Sequence, residues 1–243
     1  MARPGSRRVW LFDLDNTLHD ASHAAFGETN EAMTAYMVAQ LGLTPAGASD
    51  LRQHYWNHYG ATLLGLVRHH GIDARHFLHE THQLPGLEQR LRTSAHDRAA
   101  LALLPGRKFI LTNAPRAYAL RVLAALNLGR CFDGLISIED MTMFGHLRPK
   151  PDARMFRIIA ARLKVRPSDC VLVEDTLEHQ KGALSCGMKT AWMQRYLEGR
   201  FRGGFRAAVN QGKKPRAPGV HRCTKPLYVC AKINSLQALR TFR

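Results

Sequence analysis

The 243-residue sequence predicts an α/β protein: a doubly wound parallel sheet with an inserted α-helical domain. Short runs that are apolar on both faces recur along the chain, and most of them are followed by a segment with helical periodicity. Such alternation places a parallel sheet between two layers of helices. One long interval after the first run contains only helical patterns, which indicates an insertion rather than a connecting loop.

The predicted strands are the runs that could be buried on both faces. They are Val9–Phe12, Phe109–Leu111, Leu135–Ile138, Val171–Val173, Thr190–Met193 and Leu227–Val229. Helical spacing and helix-favouring residues predict helices between several of these strands. These helices are Pro115–Leu126, Ala153–Leu163 and Leu177–Cys186, and a short helix at Ser235–Leu239 closes the chain.

The insertion contains five amphipathic stretches and no strand-like run. They are Ala24–Leu41, Ala48–Tyr59, Leu63–His70, Ala74–Gln83 and Gly86–Leu103. We therefore expect an inserted helical subdomain over residues 19–104 and a core formed by residues 1–18 and 105–243.

The basic charge lies mainly at the C-terminal end. The net charge is +16, and residues 195–243 contain twelve Lys and Arg residues against the single acid Glu198. Residues 199–226 combine basic residues with Gly and Pro, which predicts a flexible loop. Arginine, glycine and aromatic residues alternate over residues 200–206, so nucleic-acid binding through residues 199–225 is an alternative to a solvated loop.

Composition and patterning indicate a cytoplasmic protein. No stretch approaches the roughly 20 apolar residues of a membrane span, and the run Val9–Phe12 is too short for a signal peptide. The five cysteines include no Cys-x-x-Cys pair, which favours reduced thiols over a disulfide framework or a zinc site.

Polar residues follow three of the predicted strands. Asp13 and Asp15 end the first, Thr112 and Asn113 the second, and Glu174 and Asp175 the fourth, while Lys150 precedes a predicted helix. Each could serve only as a turn or helix cap. Because ligands bind at the carboxyl ends of parallel strands, their joint occurrence predicts one active site.

These segments resemble the four motifs of the haloacid dehalogenase-like superfamily of hydrolases. The matching motifs are Asp13-x-Asp15-x-Thr17, Thr112-Asn113, Lys150-Pro151 and Glu174-Asp175. The resemblance extends from the first strand to about Met193, and it implies a Rossmann-like core with the insertion as its cap. Within the superfamily, residues 13–19 and 59–66 are similar to the pyrimidine 5′-nucleotidase-like members.

The chemistry of such a site is phosphoryl transfer, in which cations offset the charge of a phosphate dianion. Asp13 is the candidate nucleophile and would form an aspartyl-phosphate. Asp15 is the candidate general acid and base. Dehalogenases of the superfamily lack an acid at the position of Asp15, so the resemblance favours phosphoryl transfer over dehalogenation.

Mg²⁺ suits a site of clustered carboxylates and phosphate. The resemblance implies three ligands: the Asp13 side chain, the Asp15 backbone carbonyl and the Asp175 carboxylate. It makes Glu174 a partner of the ligands, although which of the two adjacent acids contacts the metal stays open.

The resemblance also implies how phosphate is bound. Lys150 would balance the charge of Asp13 and of a phosphate oxygen. Thr112 would donate a hydrogen bond to the phosphate, with Asn113 and Thr17 as further substrate contacts.

The expected substrate is a small phosphorylated metabolite, with pyrimidine nucleoside 5′-monophosphates preferred. Tyr55 and Tyr59 belong to an aromatic and histidine cluster in the cap on which a base could stack. A phosphoglycolate or sugar-phosphate phosphatase and a phosphomutase are the enzyme alternatives. The alternative from another class is a nucleic-acid-associated binding protein.

Overall fold

The computed structural model describes residues 8–92, 94–197 and 225–242. Within these residues the strands are β1 (Val9–Phe12), β2 (Arg107–Leu111), β3 (Gly134–Ile136), β4 (Thr142–Met143), β5 (His146–Leu147), β6 (Cys170–Glu174), β7 (Lys189–Met193) and β8 (Ala231–Ile233). The α-helices are α1 (Ala21–Ala24), α2 (Phe26–Leu41), α3 (Pro45–Tyr59), α4 (Thr62–His70), α5 (Ala74–Thr81), α6 (Leu87–Arg90), α7 (Ala95–Leu103), α8 (Arg116–Ala125), α9 (Ala153–Arg162) and α10 (Leu177–Ser185). Short 3₁₀ helices lie at Gly129–Cys131, Ile138–Asp140, Pro167–Asp169 and Leu236–Thr241.

Six strands form one parallel sheet in the order β3-β2-β1-β6-β7-β8, and β4 and β5 form a separate antiparallel hairpin. This confirms the predicted doubly wound α/β fold. The central strand β1 pairs with β2 on one side and β6 on the other, with Phe12 opposite both Ile110 and Val173. The residues that follow these three strands therefore lie together at the edge of the sheet formed by the carboxyl ends of the strands.

Alternate residues of β1 face opposite helical layers. Trp10 and Phe12 belong to a cluster that includes residues of α7 and α8, whereas Val9 and Leu11 pack with residues of α9. All four β1 residues are completely buried. Burial on both faces explains why the strand is apolar throughout.

The helices of the insertion pack in two groups. Residues of α2 to α5, including Met37, Leu66 and Phe77, share one hydrophobic cluster. Leu84 and Leu101 belong instead to the cluster of Trp10 and Phe12, so α7 covers one face of the sheet. The hydrophobic packing thus changes from cap to sheet before Leu84, earlier than the expected boundary at residue 104.

The last strand of the sheet differs from the prediction. Residues 227–229, predicted to be a strand, are not part of the sheet, and Ala231–Ile233 pairs with β7 instead. Leu227 is fully exposed, while Lys232 is exposed and Ile233 is buried. An edge strand buried on one side need not be continuously apolar, so a continuous apolar run does not mark it.

Two predicted helices of the insertion are interrupted. The predicted helix Ala24–Leu41 is broken at Ala25, and Gly86–Leu103 is divided into α6 and α7. Ser94 begins α7 by accepting a hydrogen bond from the Asp97 N–H at 3.1 Å.

The basic loop predicted for residues 199–226 lies outside the described residues, except for its last two positions. None of the helices in the described ranges has the length and apolar composition needed to cross a membrane.

Candidate active site

A buried lysine joins two of the strand-end acids. Asp13 follows β1 directly, and its N–H donates to the Val173 carbonyl at 2.9 Å, which continues the β1–β6 ladder. Lys150 lies in the loop before α9, and its Nζ donates to Asp13 Oδ1 and Glu174 Oε2, both at 2.7 Å. The three residues are at most 6% exposed. The lysine thus links the ends of two adjacent strands.

Asn113 holds the backbone of this lysine. Its Nδ2 donates to the Lys150 carbonyl at 2.9 Å, and its Oδ1 accepts from the Lys150 N–H at 3.0 Å. The sequence predicts Asn113 as a substrate contact, and this stays a prediction. In the structure, both polar atoms of its amide position the loop that carries Lys150.

Glu174 and Asp175 differ in how many of their oxygens have partners. Glu174 Oε2 also lies 3.0 Å from Nδ1 of His179, and Oε1 accepts from the Thr176 N–H at 3.2 Å. The Asp175 carboxylate accepts from the Thr176 hydroxyl at 3.3 Å. Trp192 fixes the Asp175 backbone by donating to its carbonyl at 2.8 Å. Asp175 therefore has more free lone pairs than Glu174.

The single positive charge of Lys150 does not balance the three carboxylates at the ends of β1 and β6. Burial, with the nearby Glu174 carboxylate, raises the pKa of Asp13 to about 8. Burial, followed by the charges of Glu174 and Asp13, raises the pKa of Asp175 to about 9. Against the effect of burial, Lys150 and His179 hold the pKa of Glu174 below its usual range. One ammonium is thus insufficient to keep all three acids ionised.

The same three carboxylates could hold a cation. One oxygen from each of Asp13, Glu174 and Asp175 lies within 4.8 Å of the others. Clustered carboxylate oxygens are the ligands of hard divalent cations. A cation would also supply the positive charge that lets Asp13 and Asp175 ionise together. The donor set therefore fits Mg²⁺.

Asp15 lies in the turn after β1, within hydrogen-bond distance of two buried side chains. Asn16 turns the backbone with φ of 56° and is bonded to Ser22 through its side chain. Asp15 Oδ1 accepts from the Tyr118 hydroxyl at 2.8 Å and lies 3.0 Å from Nε2 of His19. Burial, together with the Asp15 charge, raises the pKa of Tyr118 well above its usual range, so the phenol stays a donor.

Two threonine hydroxyls remain able to donate. Thr112 Oγ1 accepts from the Ala114 N–H at 3.0 Å, which leaves its own proton free. The Thr17 hydroxyl is buried and has no hydrogen-bond partner among the described residues. Both residues are only 1% exposed.

The two predicted cap tyrosines have different environments. Tyr55 is 6% exposed, belongs to the hydrophobic cluster of the cap, and bonds His70 through its hydroxyl at 2.8 Å. Its ring therefore packs within the cap, and its contact with the substrate stays a prediction. Tyr59 is half-buried and bonds His69.

The end of α3 reaches the loop that carries Lys150. A Cβ placed at Gly60, the residue after Tyr59, would lie 3.3 Å from Cδ of Pro151. The α3–α4 corner of the cap thus lies beside the loop that carries the buried lysine.

Three further residues lie at the site without a predicted role: Tyr118, His179 and His19. Tyr118 and His179 project from the helices α8 and α10, where no pattern distinguishes them from packing residues. His19 lies four residues after Asp15, just beyond the first motif, and this spacing was a usable signal.

Comparison with known proteins gives the family. A family model described as a haloacid dehalogenase-like hydrolase matches residues 8–187. Phosphate metabolism protein 8 of Saccharomyces cerevisiae is 26% identical over 198 residues, covering 75% of this chain and 60% of that protein. The chain therefore spans about three fifths of the length of this curated relative.

Solved structures share the fold at lower identity. CbbY from Rhodobacter sphaeroides in complex with phosphate has a TM-score of 0.59 and 17% identity, with 96% of each chain covered. The candidate hydrolase YfnB from Bacillus subtilis, bound to magnesium, has a TM-score of 0.54 and 18% identity, again with 96% of each chain covered.

The fold does not select one reaction or one subfamily. Dehalogenases, a phosphatase and a candidate β-phosphoglucomutase all have it. It therefore does not distinguish the pyrimidine 5′-nucleotidase-like members from the others. The matched region nevertheless includes all four motifs and most of the sequence, and the chain belongs to the haloacid dehalogenase-like hydrolases.

Proposed function

We propose that this chain is a magnesium-dependent phosphomonoester hydrolase that acts through an aspartyl-phosphate. The observation that carries the proposal is the grouping of Asp13, Lys150, Glu174 and Asp175 at one sheet edge, with Asp15 in the adjoining turn. Phosphoryl transfer needs this combination, because an anionic nucleophile must approach a dianionic substrate. The acid at Asp15 favours a phosphate ester as the substrate, since the departing alkoxide requires a proton.

In the first step, an Asp13 carboxylate oxygen forms a bond to phosphorus as the bond to the leaving oxygen breaks. Asp15 gives its proton to the leaving oxygen. In the second step, Asp15 takes a proton from water as the water oxygen bonds to phosphorus, and the bond between phosphorus and Asp13 breaks. Both acids then regain their starting states, and inorganic phosphate is released.

Lys150 and the two threonines are proposed to stabilise the phosphoryl group. The lysine holds Asp13 Oδ1, which leaves Oδ2 to attack, and its charge offsets negative charge on the phosphate oxygens. Thr112 and Thr17 have hydroxyl protons without an acceptor among the described residues, so both are suited to donate to phosphate.

Asp13, Asp175 and the backbone carbonyl of Asp15 are proposed as the magnesium ligands. Asp175 is preferred over Glu174 because Lys150, His179 and Thr176 already surround the Glu174 carboxylate. When bound, Mg²⁺ supplies positive charge that offsets repulsion between the carboxylates and the phosphate. Glu174 then acts by holding Lys150.

Pyrimidine nucleoside 5′-monophosphates are the proposed substrates. The α3–α4 corner next to Pro151 presents the half-buried Tyr59 ring, with the exposed His58 ring edge-on at 4.5 Å. Such rings can stack on a base, which contributes about 1–3 kcal/mol. The second candidate is a phosphoglycolate or sugar-phosphate phosphatase or a phosphomutase, because the fold is common to phosphatases and a candidate mutase.

The test is inorganic phosphate release from a panel of nucleotides, phosphoglycolate and sugar phosphates, with Mg²⁺ and with EDTA. We expect release that requires Mg²⁺ and is fastest with CMP or UMP. Asp13→Asn should reduce turnover more than about 10³-fold, whereas Asp50→Asn, at an exposed cap position, should not. Isomer formation without net phosphate release would identify a mutase. Undiminished turnover by Asp13→Asn would eliminate Asp13 as the nucleophile.

A further inference from the structure

Among the described residues, every hydrogen-bond partner of the Asp15 carboxylate contacts the same oxygen, Oδ1. The Tyr118 hydroxyl donates to Oδ1 at 2.8 Å, and Nε2 of His19 lies 3.0 Å from the same atom. No donor in the described part of the chain bonds Oδ2. The two oxygens of this carboxylate are therefore in different environments.

Both partners of Oδ1 are firmly placed. His19 is completely buried, and its backbone forms an isolated β-bridge with that of Asp15. Tyr118 is 3% exposed, lies in the hydrophobic cluster on the sheet, and packs edge-on against the His82 ring at 5.7 Å. One partner comes from the same turn as Asp15 and the other from α8, so together they fix the carboxylate orientation.

We propose that Tyr118 and His19 are positioning residues that hold Oδ1 of Asp15 and thereby make Oδ2 the oxygen that carries the transferred proton. The proposal rests on the proposed function, in which Asp15 is the general acid and base. With His19 as its Nε2–H tautomer, Oδ1 of the protonated Asp15 accepts two hydrogen bonds, so the carboxylic acid keeps its own proton on Oδ2. That proton passes to the leaving oxygen as the bond between this oxygen and phosphorus breaks.

A comparison of leaving groups tests this role in Tyr118→Phe, which keeps the packing of the ring. An alkyl phosphate needs the proton because an alkoxide is a poor leaving group, whereas p-nitrophenolate departs without one. General acid catalysis contributes about 10²–10⁴-fold. We expect kcat/KM for glycerol phosphate to fall about tenfold or more and that for p-nitrophenyl phosphate to change less than about threefold. The ratio kcat/KM is the readout because it excludes the second step, which all substrates share.

Tyr36→Phe is the matched control. Tyr36 is also buried, and its hydroxyl bonds Nδ1 of His76 at 2.9 Å, but it lies in the cap cluster. Loss of this hydroxyl should leave unchanged the ratio of kcat/KM for glycerol phosphate to kcat/KM for p-nitrophenyl phosphate. His19→Gln, which retains an N–H donor, should preserve that ratio better than His19→Leu. An equal loss with both substrates in Tyr118→Phe, or no loss with either, would overturn the positioning role.

Crystal structures of the wild type and Tyr118→Phe give a reading that does not depend on turnover. We expect the wild-type carboxylate to keep Oδ1 on Tyr118 and His19, and the variant carboxylate to rotate away from this orientation. An unchanged carboxylate in the variant would overturn the proposal. If the wild type hydrolyses neither substrate, the proposed function fails, while these two structures still decide whether Tyr118 orients Asp15.

Discussion

Glu174 and Lys150 form an ion pair at 2.7 Å in which each side chain is only 1% exposed. A buried pair of this kind is costly to break, because the remaining charge has lost its solvent and its partner. Here the lysine has a second carboxylate, Asp13, at the same distance. The stability of the fold at the carboxyl ends of β1 and β6 therefore depends on the same ammonium group as the proposed reaction.

Lys150→Met is expected to lower the free energy of unfolding by about 3–5 kcal/mol, because it leaves two buried carboxylates without their cation. Urea denaturation in EDTA measures this change. Lys181→Met, at an exposed position of α10, should change stability by less than about 0.5 kcal/mol. Equal stability of the two variants would show that the buried lysine is not needed to compensate the acids.

The stability gained from Mg²⁺ should increase with pH. Without a cation, the pKa values of Asp13 and Asp175 are about 8 and about 9, against an ordinary value of 3.8. The folded state then binds more protons than the unfolded state, so these two acids make unfolding easier as pH rises from about 4 to about 9. A bound cation stabilises the ionised acids and opposes this loss.

Thermal unfolding at pH 6, 7.5 and 9, in Mg²⁺ and in EDTA, measures this linkage. We expect the difference in Tm between the two conditions to widen as pH rises, and to shrink at every pH in Asp175→Asn. Using the difference removes the contribution of groups that do not respond to the cation. A difference that stays constant with pH would contradict the assignment of Asp13 and Asp175 as ligands.

The central strands were predictable because burial on both faces leaves a clear apolar run. β1 was predicted to the residue for this reason. The edge strand β8 was not, since Lys232 faces solvent between partly buried Ala231 and buried Ile233. The two-residue strands β4 and β5 are too short to show any periodicity.

The convergence of Asp13, Glu174 and Asp175 was predictable because parallel strands end at a common edge. The contacts of Tyr118 with Asp15 and of His179 with Glu174 were not. Each side chain reaches the site from a helix, and its direction depends on how that helix packs on the sheet. The pair of hydrogen bonds between Asn113 and Lys150 was missed because it depends on the path of a loop 37 residues away.

Arg195→Met is expected to separate stability from activity. Arg195 follows β7 and forms a bidentate ion pair with Asp97 of α7, whose side chain is 2% exposed. Its loss leaves Asp97 buried without a cation, which should cost about 2–3 kcal/mol. Because the pair lies outside the proposed active site, kcat/KM should stay within about twofold below the unfolding temperature.

Arg166→Met is the control for this pair, because Arg166 bonds Asp169 with a side chain that is 72% exposed. We expect it to change stability by less than about 1 kcal/mol. A similar loss in both arginine variants would contradict the importance of burial for the Arg195–Asp97 pair.

Gly182→Ala is expected to reduce both stability and activity, although alanine normally favours a helix over glycine by about 1 kcal/mol. A Cβ at Gly182 of α10 would lie 2.2 Å from the Pro151 carbonyl oxygen, so α10 and the loop must separate. That loop carries Lys150, whose ammonium would move from Asp13 and Glu174.

Gly27→Ala is the matched control in α2, because a Cβ there meets no atom within 4 Å. Urea denaturation and kcat/KM should show a loss for Gly182→Ala and, for Gly27→Ala, a gain of up to about 1 kcal/mol with unchanged activity. If alanine at position 182 is tolerated as well as at position 27, the close approach of α10 does not fix the lysine.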